Sequence, residues 1–191
     1  IKSGKYLIEN NGIFKAESDV PYEWFIKESF VGECDENGYF RFADWNGNDV
    51  VIGENGALSS VLHSRPKNCG LFEIEVISSG ISRAEKLAEA CDAVIFCGGN
   101  DPMMGARECV DRTHLRLPEH QKKLLEAVRK NPDTVFLLIS SYPYSIVEEN
   151  EKMRAVIYSS HAGDELGNAA AAAVFGITNP AARLPLTWYR S

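Results

Sequence analysis

At 191 residues, 45% hydrophobic and 25% charged, the chain can bury a sizeable core or two small ones. A net charge of −7, with no basic run longer than two residues, excludes a nucleic-acid footprint. No apolar stretch reaches the roughly 18 residues that a membrane-crossing helix needs.

The five cysteines, at 34, 69, 91, 97 and 109, lack CxxC spacing. An odd, unpatterned set is expected to stay reduced, which points to a cytoplasmic protein. The chain starts at Ile1 rather than methionine, so it reads as a piece of a longer protein.

Residues 1–79 carry strand and turn signals. Tyr6 to Ile8 and Ile13 to Ala16 flank Asn10-Asn11-Gly12, whose residues tolerate the positive φ of a hairpin turn. FRFADWNGNDVVIGENGALSS repeats the pattern with turns at Asn46-Gly47 and Asn55-Gly56. EWFIKESF and LFEIEVIS add two further apolar-polar alternations, so the segment is predicted to be all-β.

After Ser79 the period changes to 3.6. Ser82-Arg83-Ala84-Glu85 has the form of a capping box, with Ala84, Leu87, Ala88 and Cys91 as an apolar stripe. Ala93 to Cys97 reads as a parallel strand covered on both faces. Pro118 suits the first turn of a helix that turns Leu124, Leu125 and Val128 inward. Thr134 to Ile139 and Ala155 to Tyr158 are the next two strands. Asp164 can cap a last helix, with Leu166, Ala169, Ala170 and Ala173 inward and Gly176 closing it. Alternating strands and helices make residues 80–191 an α/β unit with parallel strands and right-handed crossovers.

Chemistry is expected just past the first of these strands, in DAVIFCGGNDPMMGARECVDR from Asp92 to Arg112, because open α/β sheets take ligands beyond their strands' carboxyl ends. Gly98-Gly99 lacks the spacing of a dinucleotide fingerprint and opens no helix, which weakens a flavodoxin-like nucleotide- or flavin-binding reading. Ser140-Ser141 lacks the flanking glycines of a nucleophile elbow. His114, His120 and His161 share no metal-type spacing, so no metal site is expected.

With the Asp92–Arg112 stretch, LPEHQKKLLEAV, NPDTVFLLISSYP, HAGDELGNAAAAAVFG and NPAARLPLTW follow in order. Residues 81–191 thereby resemble the second half of the C-terminal α/β sandwich of family 3 glycoside hydrolases, the retaining β-glucosidases and β-xylosidases. The hairpins of residues 1–79 resemble β-trefoil units of the fascin or ricin-lectin type, too few for a complete trefoil. The resemblance implies a partial α/β sandwich preceded by an all-β, trefoil-like insert.

Retaining glycosidases use two carboxyl groups about 5–5.5 Å apart, a nucleophile and an acid/base. The resemblance implies that the nucleophile lies on a barrel domain absent from this chain. It also implies that the acid/base is Glu108, in Glu108-Cys109-Val110-Asp111-Arg112, which matches an E-G-x-D-R motif with Cys109 in place of glycine. Asp111 and Arg112 are expected to brace the loop, and Asn100 and Asp101 to bind sugar hydroxyls. The implied substrate is a glycoside or oligosaccharide with a terminal β-linked glucose or xylose, and no cofactor is implied. The isolated chain is expected to be inactive and open to self-association through surfaces its missing domains would cover. The alternative is a non-catalytic carbohydrate-binding module, with Tyr22, Trp24 and Trp45 as stacking candidates.

Overall fold

The computed structural model describes residues 4–21, 26–62, 70–100 and 111–190. They form two compact units, Ile1–Val76 and Ile77–Ser191.

The first unit holds six strands: β1 (Tyr6–Asn10), β2 (Ile13–Ser18), β3 (Val31–Cys34), β4 (Phe40–Ala43), β5 (Asp49–Ile52) and β6 (Leu58–Val61). They pair as one sheet in the order β1-β2-β6-β5-β4-β3, antiparallel throughout. The turns fall where expected: Asn11 and Gly12 have φ of 53° and 80°, the left-handed pair of a tight hairpin turn. At the β4–β5 turn, Asp44 is buried and its Oδ1 accepts from the Asn46 and Asn48 amides, each at 2.9 Å. The aspartate side chain thus satisfies turn backbone that has no ladder partner.

Two expected strands are corrected. In EWFIKESF the described residues 26–30 form no strand; the strand is the next stretch, β3. LFEIEVIS contributes only an isolated bridge between Phe72 and Phe40, because the residues beyond it meet no second strand. Phe72 is kept in place by its ring, 5.3 Å edge-on from Phe42.

The second unit runs α1 (Gly80–Glu89), β7 (Val94–Gly99), α2 (Glu119–Val128), β8 (Thr134–Ile139), α3 (Val147–Lys152), β9 (Ala155–Ser159) and α4 (Leu166–Val174). The sheet order is β7-β8-β9, all parallel and in continuous register. Phe136 and Leu138, alternate residues of the middle strand, are fully buried. They form one core with Ala88 of α1, Leu125 and Val128 of α2, and Leu117 and Tyr144 from the connections. Asn131 ties the start of β8 to the end of α1 by donating from Nδ2 to the carbonyls of Ala88 (3.0 Å) and Cys91 (2.7 Å).

The helix ends depart from expectation. Ser79, not Ser82, caps α1: its Oγ accepts from the Ser82 amide at 3.3 Å. The helix begins three residues early, so Ser82 fills the position that donates to the cap. Asp164 does not cap α4; Glu165 occupies the cap position without a side-chain bond to the backbone. Gly176 does end α4 as expected, at φ 69°, with its amide to the Ala173 carbonyl and that of Ile177 to Ala172.

Burial corrects four more expectations. Leu87 is 66% exposed, so the α1 stripe narrows to Ala84 and Ala88. Along β7, Phe96 faces the helices while Ile95 and Cys97 point to the opposite face and are exposed, so among the described residues the strand is covered on one face only. Cys91 follows α1 rather than riding on it, and is also exposed. In α4, Leu166, Ala170 and Ala173 are half-buried as an inward face, and only Ala169 of the expected set is exposed.

Phe136→Ala removes the ring at the centre of this core, where no solvent reaches. We expect a loss of about 3–5 kcal/mol of unfolding free energy. Urea denaturation should report it as a lowered midpoint; an unchanged midpoint would place the core elsewhere.

Candidate active site

The carboxyl ends of β7, β8 and β9 bring Asn100, Ser140-Ser141 and Ser160-His161 to one edge of the parallel sheet. That is where an open α/β sheet takes ligands. Glu108 and Asp101 lie outside the described residues, as do Tyr22, Trp24, Cys69 and Cys109.

Asn100 lies at this edge, but its side chain is already engaged. Its backbone amide donates to the Ile139 carbonyl at 3.1 Å, and its side-chain Oδ1 accepts from the Ser141 amide at 2.8 Å. The asparagine therefore extends the β7–β8 ladder by one side-chain rung. Ser141 Oγ in turn lies 2.7 Å from His161 Nδ1, so the three strand ends are linked in sequence.

Just before Asn100, Gly99 has φ 140°, and a Cβ there would stand 1.7 Å from the Ile139 carbonyl oxygen. Only glycine fits so close an approach of two strands. The other side of Gly99 is held by Gln121 of α2: the Gly99 amide donates to Oε1 at 2.9 Å, and Nε2 donates to the Gly99 carbonyl at 2.7 Å. Gly98 makes room for that amide, since a Cβ there would lie 3.0 Å from Oε1.

The chain returns at Arg112. Its guanidinium carbon is 4.0 Å from the centroid of the Tyr142 ring and 5.4 Å from that of Tyr144. The two rings are 5.5 Å apart and tilted by 59°, forming an open clip for the cation. A planar, weakly hydrated guanidinium suits such stacking better than a lysine would. Among the described residues, Arg112 is held by these two aromatic faces. The Ser145 amide donates to the Leu115 carbonyl at 2.8 Å, fastening the returning chain to the same connection after β8. Ser140, fully buried, locks that connection through Oγ to the Tyr142 carbonyl at 2.6 Å, and accepts from the Tyr158 hydroxyl at 3.0 Å.

Three of these contributors were not singled out from sequence. Gln121 is one polar residue among several in LPEHQKKLL, and only its inward turn on α2 distinguishes it. Tyr142 and Tyr144 are two residues apart, the period that puts both rings on one side, and that spacing is a usable signal. The Ser141–His161 contact joins residues 20 apart and depends on the strand register.

In the first unit, Trp45 is half-buried and its indole N–H donates to Glu9 Oε2 at 2.9 Å.

An open three-stranded parallel sheet, with a polar edge built at its carboxyl end, is the class of structure these residues define. A family model, the glycosyl hydrolase family 3 C-terminal domain, matches residues 9–191, and the chain belongs to that family. A beta-glucosidase of Rhizobium radiobacter is 37% identical over 111 residues, covering 58% of this chain and 13% of that protein. A beta-xylosidase/alpha-L-arabinofuranosidase 1 of Medicago sativa subsp. varia is 32% identical over 124 residues, 63% of this chain and 16% of that protein. The crystal structure of a beta-glucosidase from Kluyveromyces marxianus in complex with glucose aligns with a TM-score of 0.55 at 30% identity, covering 64% of this chain and 15% of that one. The chain thus spans about a sixth or less of the length of these relatives.

Burial, seconded by the neighbouring Tyr142, pushes the Tyr144 phenol up from its ordinary 10.0, against an opposing pull from Arg112. The folded state therefore holds the phenolic proton more tightly than the unfolded chain does. The stability this contributes is fully present below pH 10 and is lost as pH rises beyond it. Unfolding midpoints should fall above pH 10 in the natural protein and fall less in Tyr144→Phe; parallel curves would contradict the assignment.

Proposed function

We propose that the parent protein is a retaining β-glycosidase releasing terminal β-linked glucose or xylose, and that this chain supplies its acid/base from Glu108. The observation that carries the reading is the family match through residues 9–191, with β-glucosidases and β-xylosidases among the relatives. The geometry around it is favourable. The chain leaves β7 at the sheet's ligand edge and returns at Arg112, and both points are fastened to the connection after β8. A general acid needs a fixed approach to the leaving oxygen, and firm anchors on either side of Glu108 favour one.

Asn100 and Asp101 are proposed to contact sugar hydroxyls. For Asn100 only the amide group is offered to that role, since Oδ1 already accepts from Ser141. The nucleophile and the rest of the substrate pocket belong to other parts of the parent chain, so the isolated chain should not turn over glycosides. The trefoil-like reading of residues 1–79 rests on its repeated hairpins, and the six-strand ladder adds nothing to it. A reducing, cytoplasmic location rests on the unpaired thiols of Cys34, Cys91 and Cys97.

In the parent enzyme, Glu108→Ala should lower kcat/KM for alkyl glycosides, whose leaving groups need a proton, by about 10²–10⁴-fold. Aryl glycosides with good leaving groups should keep their first step, and azide should restore their turnover. Equal losses on both substrate types without azide rescue would move the role to another residue.

The surfaces for the missing parts are proposed to be the uncovered face of β7 and the end of α4. Ile95 is 45%, Phe175 73% and Ile177 78% exposed. Apolar side chains displayed this way invite association. Light scattering on the isolated chain should show a mass that rises with concentration; a monomer at every concentration would contradict this.

A further inference from the structure

We propose that the cleft enclosed by α3, β9 and the segment 184–190 is a binding site for a neutral saccharide. Its volume is about 430 Å³, a size typical of small-molecule sites. Tyr158, Trp188 and Tyr189 line it together with Asn150, Glu151 and Arg190. The aromatic part of this lining is fixed before any ligand arrives. Tyr158 donates its hydroxyl to the Ser140 carbonyl at 3.0 Å and meets Trp188 edge-on, with ring centroids 5.0 Å apart. Ser145 Oγ donates to the Arg190 carbonyl, which ties the segment to the connection after β8. A site built in advance spends little of its binding energy on ordering.

The lining selects the chemistry of the ligand. A pyranose presents apolar C–H faces and a girdle of hydroxyls, so it needs an open ring to stack on and side chains free to donate and accept. Tyr189, 59% exposed, offers the ring. On α3, Glu148 is paired with Lys122 and Lys152. By contrast, the exposed side chains of Asn150, Glu151 and Arg190 form no hydrogen bond or ion pair with another described residue. They supply a carboxylate acceptor, an amide that both donates and accepts, and a guanidinium donor. Glu151 and Arg190 are the only charged side chains in the described lining, and their charges cancel. That balance favours an uncharged ligand over a phosphate or a carboxylate. Glu108 has no part in this site.

The test titrates cellobiose, xylobiose and maltose into the 191-residue chain by isothermal calorimetry, with tryptophan fluorescence as a second readout. The choice of the two β-linked probes rests on the glycosidase reading, and maltose separates that reading from the site itself. Cellobiose or xylobiose should bind, and Tyr189→Ala and Glu151→Ala should each weaken binding about tenfold, the worth of a stacked ring or of one charge-assisted hydrogen bond. Binding of maltose alone, with the same two losses, would support the cleft and count against the β-glycosidase reading. No binding of any of the three at millimolar concentration would overturn the proposal. Affinity unchanged in both variants would place the sugar elsewhere and overturn it equally. Both substituted side chains are exposed, so thermal unfolding should stay near that of the natural chain. Should Tyr189→Ala fold poorly, Glu151→Ala decides by the same comparison.

Discussion

The candidate site depends on how the backbone of Gly99 is held. At that residue β7 stops being a strand and the chain passes to the ligand edge of the sheet. A backbone amide and carbonyl at a sheet edge need partners, and a glycine supplies no side chain to restrict the choice. The structure answers with the Gln121 side chain, which bonds both groups, while the backbone amide of the next residue, Asn100, donates to the Ile139 carbonyl. Leu125 and Val128 of α2 share one core with Phe136 and Leu138, and that packing carries Gln121 beside β7. Core packing and site geometry are therefore one arrangement: the same helix that buries the apolar face of the sheet presents the amide that completes its edge.

Much of the fold was legible in sequence where one residue type answers one local demand. Asn11-Gly12, Gly47 and Gly56 mark turns because they accept positive φ, and each turn is found where it was read. The β8 run Thr134–Ile139 matches its expected bounds because both its apolar faces and its register are fixed by neighbours on each side. The misreadings share one cause. Period and propensity report what a segment could bury, not whether anything arrives to cover it. Ile95 and Cys97 have the apolar character of a doubly covered strand, and Ala169 that of a packed helix face, yet all three are exposed among the described residues. The Leu71–Ser78 stretch alternates as a strand should but finds a partner only at Phe72.

The site divides in the same way. Its expected place beyond β7 came from the parallel-sheet rule, and Asn100 was singled out as a candidate from position alone. Its supports were not, because they are long-range: Gln121 meets Gly99 across 22 positions, and Arg112 meets Tyr142 across the whole of α2 and β8. Such contacts become visible only once the strand register is known. They also change the reading of Asn100, whose carbonyl oxygen serves the sheet and leaves only its amide for a ligand.

The central claim is that the acid/base of a glycosidase is carried between Asn100 and Arg112. The most direct measurement is affinity labelling of the full-length parent enzyme with a glycoside that carries a bromoacetyl group at the leaving-group position, followed by peptide mapping. Such a reagent alkylates the carboxylate that faces the leaving oxygen. The account expects the label on Glu108, with protection by a competing sugar. A label that is protected in the same way but maps outside residues 100–112 would contradict it.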